Sequence, residues 1–267
     1  MDSLTIAIAS RRLWRIAPVG LNQAGTPNDD TLLGTEFADT LLGLGGDDVL
    51  YGRDDNDRLE GGSGDDVLYG EAGFDVLYGN DGNDTLLGSP DPDYLFGGKG
   101  DDTLRGGKGR DAIVGDAGND TLVGDRDVDS LWGGAGADVF VLRHDTAAPP
   151  QSLGTPDLIL DDNAFARIDE VPADMILDYR ADEGDRIGLT GGLTAADLGL
   201  TSRFLTVGDA RDYATDGPYP PNTPRTLDFR ITTFAATIIT IAATGEILGI
   251  VKEVDPADLQ FISGDEF

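Results

Sequence analysis

The sequence contains no cysteine and a single histidine, His144, in 267 residues. Disulfides, thiolate nucleophiles and cysteine–histidine metal centres are thereby excluded. With no second histidine and no serine in a G-x-S-x-G turn, no hydrolase triad is evident, and the expectation is a protein that is not an enzyme. Basic residues are scarce: 19 Lys and Arg face 50 Asp and Glu, a formal net charge of −31. That balance argues against nucleic acid and anionic membranes and points to cations as partners. The amino-terminal apolar run, Leu4 to Ala9, is preceded by Asp2 and followed by Arg11 and Arg12. It is too short to cross a bilayer and carries its charges in the wrong order for a secretory signal, so no transmembrane segment is expected.

What the chain has in abundance is glycine and aspartate, in strict order. From Gly25 it divides every nine residues into thirteen units ending at Val141, among them GLGGDDVLY, GGSGDDVLY and GGKGDDTLR. Every unit opens on glycine. Its sixth residue is aspartate: Asp30, Asp39, Asp48, Asp57, Asp66, Asp75, Asp84, Asp93, Asp102, Asp111, Asp120, Asp129 and Asp138. The eighth is always large and apolar, from Leu32 to Phe140. A fixed period of this kind is the mark of a solenoid.

Glycine tolerates positive φ, so the first six residues of a unit can turn tightly while the last three, such as Val67-Leu68-Tyr69, form a short strand. Two units then make one coil of a flattened parallel roll with position eight facing inward. Coils lie about 4.8 Å apart, which brings each sixth-position aspartate beside the one eighteen residues on. At an effective dielectric near 20, two bare carboxylates at that spacing repel by roughly 3 to 4 kcal/mol. A ladder of them requires a cation, and a site of oxygens alone suits calcium before magnesium and excludes zinc or copper. The thirteen aspartates are the expected metal ligands; the bland alternative is that they are plain turn residues.

These units resemble the repeats-in-toxin (RTX) family, whose nonapeptide is G-G-x-G-x-D followed by x, a large apolar residue and x. The resemblance implies a calcium-binding β-roll over 25–141, with Ca2+ held between successive turns by these aspartates and neighbouring backbone carbonyls.

The two sides of such a roll differ. The odd-numbered units carry Asn28, then Gly46, Gly64, Gly82, Gly100, Gly118 and Gly136 at position four; the even ones read Phe37, Asp55, Gly73, Asp91, Gly109 and Asp127. Aspartate accepts left-handed geometry, so those turns survive, whereas Phe37 does not fit. Asp55, Asp91 and Asp127 either add carboxylates to alternate coils or are solvated acids on a decayed repeat, and decay is the favoured reading. Seven odd turns define six gaps for ions, and six even turns define five that are less reliably filled. The repeats hold 27 acids and 7 bases, so most of the charge lies where a cation can neutralise it.

After Val141 the register ends. Residues 145–173 and 208–225 read as loops, and strands are expected at Met175–Tyr179, Arg186–Leu189, Thr226–Thr232, Thr237–Ala242 and Glu246–Lys252. The expected class is all-β, a parallel β-roll and a β-rich carboxy-terminal cap, divided as 1–24 (amino-terminal cap), 25–141 (roll) and 142–267 (cap). ADMILDYRADEGDRIGLTGG, 173–192, is similar to the segment that follows RTX repeats in serralysin-type secreted proteins. Those peptidases carry zinc in a separate histidine-rich domain, which this sequence lacks, and His144 reads as a junction residue. The ending FISGDEF resembles the uncleaved signal of type I secretion substrates. The resulting expectation is a secreted, extracellular or cell-surface calcium-binding structural protein, exported by the type I machinery, folding on calcium and open to self-association. The alternative is an adhesin or a binder of cell-surface glycans, using the ninth-position aromatics Tyr51, Tyr69, Tyr78, Phe96 and Trp132 as a platform; the favoured reading of these rings is that they pack on neighbouring coils.

Overall fold

The computed structural model describes residues 20–142, 166–167, 174–209, 230–243 and 247–263. The amino-terminal run, His144, most of both loops, the start of the Thr226–Thr232 strand and residues 264–267 lie outside the described residues.

The nine-residue period winds as two units per coil. Strand pairing is parallel with partners eighteen residues apart, Leu50 opposite Leu68 and Leu104 opposite Leu122. Units therefore alternate between two sheets. Strands β1 (Asn22–Ala24), β2 (Thr31–Leu33) and β3 (Thr40–Leu42) are short, and ten six-residue strands follow, β4 (Val49–Asp54) to β13 (Ser130–Ala135), then β14 (Val139–Leu142). Even-numbered strands lie in a nine-stranded sheet and odd-numbered ones in a twelve-stranded sheet. β1 pairs with β3, so the winding begins before the first countable repeat.

The three-residue strand expected in each unit holds only for β2 and β3. From β4 to β13 each strand runs from position seven through position three of the next unit, leaving positions four to six as the turn. The extension arises because positions two and three also find partners one coil away, as in Gly107 opposite Asp125 and Lys108 opposite Arg126.

Position eight faces inward throughout. All thirteen of these side chains, Leu32 to Phe140, are buried in one continuous core. At about 25 cal/mol per Å2 of apolar surface removed from water, this stripe is the main apolar support of the winding.

Both sheets continue past the repeats. β14 pairs with β17 (Arg186–Leu189), as expected for that segment, and β13 pairs with β16 (Asp174–Ile176), which is shorter than expected. The twelve-stranded sheet then adds β20 (Ile247–Lys252), β19 (Arg230–Ile241), β18 (Leu198–Asp209) and β15 (Ala166–Arg167), while β21 (Phe261–Ser263) joins the other. β18 was not expected from the sequence; its twelve residues pair antiparallel with β19. Among the described residues no helix is long and apolar enough to cross a membrane.

Candidate metal centre

The turns repeat one backbone shape. From Leu44 to Gly134, the second residue of every unit has positive φ, and so does the fourth from Gly46 to Gly136. Aspartate meets the requirement at position four in αL, with φ 72° at Asp55, 76° at Asp91 and 75° at Asp127, whereas Gly73 and Gly109 take 139° and 146°. Those three aspartates are exposed. The strain at position two was not anticipated: Leu44 and Arg53 sit at φ 84° and 89°, where bulky residues are rare. Asn28 and Phe37 are not among the positive-φ residues, so the first two turns differ from the rest.

Glycine at position one serves space rather than φ. A Cβ on Gly43 would lie 2.2 Å from Asp48 Oδ2 and 2.4 Å from the Gly61 carbonyl oxygen; on Gly79 it would lie 2.2 Å from Asp84 Oδ2 and 2.6 Å from the Gly97 carbonyl. The ladder carboxylate of a unit and a carbonyl of the next coil thus share one small space, which the missing side chain keeps open.

Twelve of the thirteen sixth-position aspartates are buried, from Asp39 to Asp138; Asp30, at the start, is half-buried. From Asp48 onward each offers Oδ1 to the backbone N–H of the aspartate one coil earlier, and Asp39 offers its own to the Leu21 amide. On one side the Asp48, Asp66, Asp84 and Asp102 amides donate to the next carboxylate at 2.7 to 2.8 Å. On the other, those of Asp39, Asp57, Asp75 and Asp93 donate at 2.7 to 2.9 Å. The Oδ2 atoms are another matter. From Asp48 to Asp138 eleven of them are buried without a hydrogen-bond partner. Asp30 and Asp39 escape this: Thr26 donates its amide and hydroxyl to Asp30 Oδ2 at 2.6 and 2.8 Å, and the Thr35 amide donates to Asp39 Oδ2.

Orphaned buried carboxylate oxygens are costly. Burial, opposed by the donated amide and reinforced by nearby carboxylates, pushes Asp57, Asp66 and Asp102 up to about 7 and Asp84 to about 6. On the even side Asp93 is pushed up to about 9, where burial is reinforced by Asp75, Asp111 and Asp91. Asp129 is likewise raised by burial and by the charge of Asp174. A proton or a cation must therefore accompany the folded row.

Among the described residues, no three His, Cys, Asp or Glu side chains form a group that holds an ion by themselves. Any shell has to be completed by backbone carbonyls, such as the glycine carbonyls beside Oδ2. An all-oxygen, carbonyl-rich donor set of this kind fits calcium.

The sequence reading missed three carboxylates and a second ladder. Asp174 and Asp185 continue the two rows past the repeats, accepting from the Asp129 amide at 3.3 Å and the Asp138 amide at 3.0 Å. Asp178 accepts from the Gly133 and Gly134 amides, each at 2.8 Å. The signal was present: Asp174 and Asp185 each stand two residues before a buried isoleucine, Ile176 and Ile187, as in a repeat. On the odd side, exposed fifth-position side chains form an outer ladder. Asp29, Asp47, Asp65, Asn83, Asp101 and Asn119 each accept from the amide one coil later, at 2.8 to 3.0 Å. The even side has one such bond, from the Phe74 amide to Asn56.

Four of the five ninth-position aromatics pack on one another. Tyr51 and Tyr69 stack with centroids 4.8 Å apart and planes within 4°, Tyr78 and Phe96 at 5.0 Å and 9°, and the Arg58 guanidinium lies 4.4 Å over Tyr78. In these two pairs the ring faces are spent on one another along the roll.

The RTX calcium-binding nonapeptide repeat, four copies to the family model, matches residues 25–59, 60–95, 78–113, 87–122 and 114–142. This stretch carries RTX calcium-binding repeats wound as a β-roll, and Ca2+ is the ion such repeats bind. The match stops at residue 142, and the likeness of the following segment to serralysin-type proteins rests on its sequence. Comparison with curated proteins found no match. Among solved structures, the chain is similar to the AlgE6R3 subunit of the Azotobacter vinelandii mannuronan C5-epimerase, at 22% identity and a TM-score of 0.39, over 67% of this chain and 82% of that one.

Proposed function

We propose that the protein is a calcium-folded structural roll, exported by a type I route and working outside the cell, in which the sixth-position aspartates hold the ions between coils. The observation that supports this most strongly is the row of eleven buried, partnerless Oδ2 atoms. Because Asp30 and Asp39 are closed by threonine, the ions start one coil later than the repeat does. They occupy six gaps from Asp48 to Asp185 and five from Asp57 to Asp174. Asp174 and Asp185 complete the last gap on each side. Sites of this kind in extracellular modules bind at about 10⁻⁴ to 10⁻³ M, so a calcium-poor cytosol keeps the repeats unfolded for export and external calcium folds them. Residues 25–141 form the roll, with 1–24 and 142–267 as its caps, the second of which contributes Asp174 and Asp185 to the last gaps.

Counting bound calcium by equilibrium dialysis and elemental analysis tests this. Wild type is expected to approach eleven ions, Asp84→Asn to lose up to two because its carboxylate borders two gaps, and Asp30→Asn to lose none. One or two ions in wild type, or an unchanged count in Asp84→Asn, contradicts the assignment.

A further inference from the structure

The turns of the even-numbered units line up as one edge of the roll, and their third positions read, coil by coil, Glu36, Asp54, Ala72, Pro90, Lys108 and Arg126. Two acids, two apolar residues and two bases follow in that order. All but the half-buried Ala72 are exposed. On the opposite edge the one base at this position, Lys99, is paired with Asp81 of its own chain at 2.7 Å. Lys108 is not so satisfied. Among the described residues Arg58, Lys99 and Arg105 are held in ion pairs, whereas Lys108 and its neighbour Arg110 are exposed and in none. The exposed acids Asp54 and Asp55 lie three coils away, about 14 Å along the roll and out of reach within one chain. Midway between them Phe74 is 38% exposed, standing edge-on to Tyr94 with centroids 5.0 Å apart, beside the exposed Pro90 and Pro92.

We propose that two copies of the chain pair along this edge, antiparallel, about a two-fold axis lying between the coils of Phe74 and Pro92. Reversing the coil order sets Phe74 of each copy against Pro92 of the other, Asp54 against Lys108, and Asn56 against Arg110. Each contact occurs twice, as an isologous interface requires. The charges that interrupt the gradient meet no like charge: Arg53, Asp55, Asp91 and Asp127 come opposite Gly107, Gly109, Gly73 and Phe37. Arg126 is already engaged within its own chain, and the pairing does not depend on its facing Glu36. The six coils span about 24 Å, a narrow strip at the small, transient end of protein interfaces. A net charge of −31 opposes the approach of two copies, and eleven bound calcium ions offset most of it. The dimer therefore belongs to the calcium-loaded roll and rests on that reading of the ladders.

Sedimentation velocity of the full chain in saturating calcium, over a concentration series at low and high salt, tests this. Wild type is expected to pass from monomer to dimer as concentration rises, and less readily at high salt, where exposed charges are screened. Asp54→Lys and Lys108→Asp should each weaken the dimer by about tenfold or more, because two attractions become two repulsions. An equimolar mixture of the two variants should dimerise again, since each altered charge then faces its opposite, a recovery that general damage to the fold would not produce. If either charge-reversed chain does not fold, Asp54→Ala and Lys108→Ala are expected to weaken the dimer in the same direction. Folded wild type that stays monomeric at every concentration overturns the proposal. So does a dimer that both variants keep, which would place the contact on another face, or a mixture that fails to recover. Circular dichroism reads the calcium-induced fold separately: its absence would overturn the calcium assignment and the dimer together, whereas loss of the dimer alone leaves the calcium assignment standing.

Discussion

Stripped of calcium by a chelator, the chain is expected to hold more β-structure at pH 5 than at pH 7.5, while its calcium-loaded form shows the reverse preference. The sign follows from the ladder. Asp57, Asp66, Asp102, Asp111 and Asp138 titrate near 7 in the fold, raised by burial and reinforced by nearby carboxylates, against about 3.9 in an unfolded chain. A raised pKa contributes stability that is complete below the unfolded value and is lost as pH rises through the folded one. Protons thus do in acid what calcium does at neutrality. Calcium needs the deprotonated oxygens, so its midpoint should rise by about tenfold for each pH unit of acidification and each proton displaced. Circular dichroism across pH 5 to 8, with and without calcium, checks both arms. A metal-free signal that falls with acidification would contradict the burial of the row.

Leu86→Ala is expected to cost about 2 to 5 kcal/mol, measured by denaturant unfolding in saturating calcium. Leu86 is fully buried in the middle of the stripe between Leu68 and Leu104, so neither neighbour can close the cavity without shifting a whole coil. In a quasi-one-dimensional stack a weak central interface also separates the two halves. Leu32→Ala should cost less, since among the described residues Leu32 lies on the three-residue strand β2 at the end of the sheet, with β4 beside it on one side alone. Equal costs at the two positions would show that the core is not a stack of nearest-neighbour layers.

The roll was legible because three residue types recur at one period. Glycine at one, aspartate at six and an apolar residue at eight sufficed for the eighteen-residue pairing, the two ladders and the inward stripe. What escaped was not written in side-chain identity. The left-handed second position is occupied by Leu44, Arg53, Glu71 and Ser89 as readily as by Gly62, so composition conceals both the φ and the six-residue strands it joins. Asp174 and Asp185 lay hidden because the chain between them and the repeats breaks the spacing to 45 and 47 residues. The fifth-position ladder was open to view as Asx in six of seven odd units, yet its meaning depends on amides one coil away. The ninth-position aromatics were open in the sequence to two readings, a surface platform or packing on neighbouring coils, and the short coil spacing stacks Tyr51 on Tyr69 and Tyr78 on Phe96.

The central claim is that cations make it possible to bury a row of carboxylates. The most direct measurement is thermal unfolding at pH 7.5 of chelated protein before and after millimolar calcium is restored. The account predicts little cooperative β-structure without the ion and a sharp, strongly raised transition with it. A complete β spectrum in the chelated protein, melting at the same temperature after calcium is added, would contradict it.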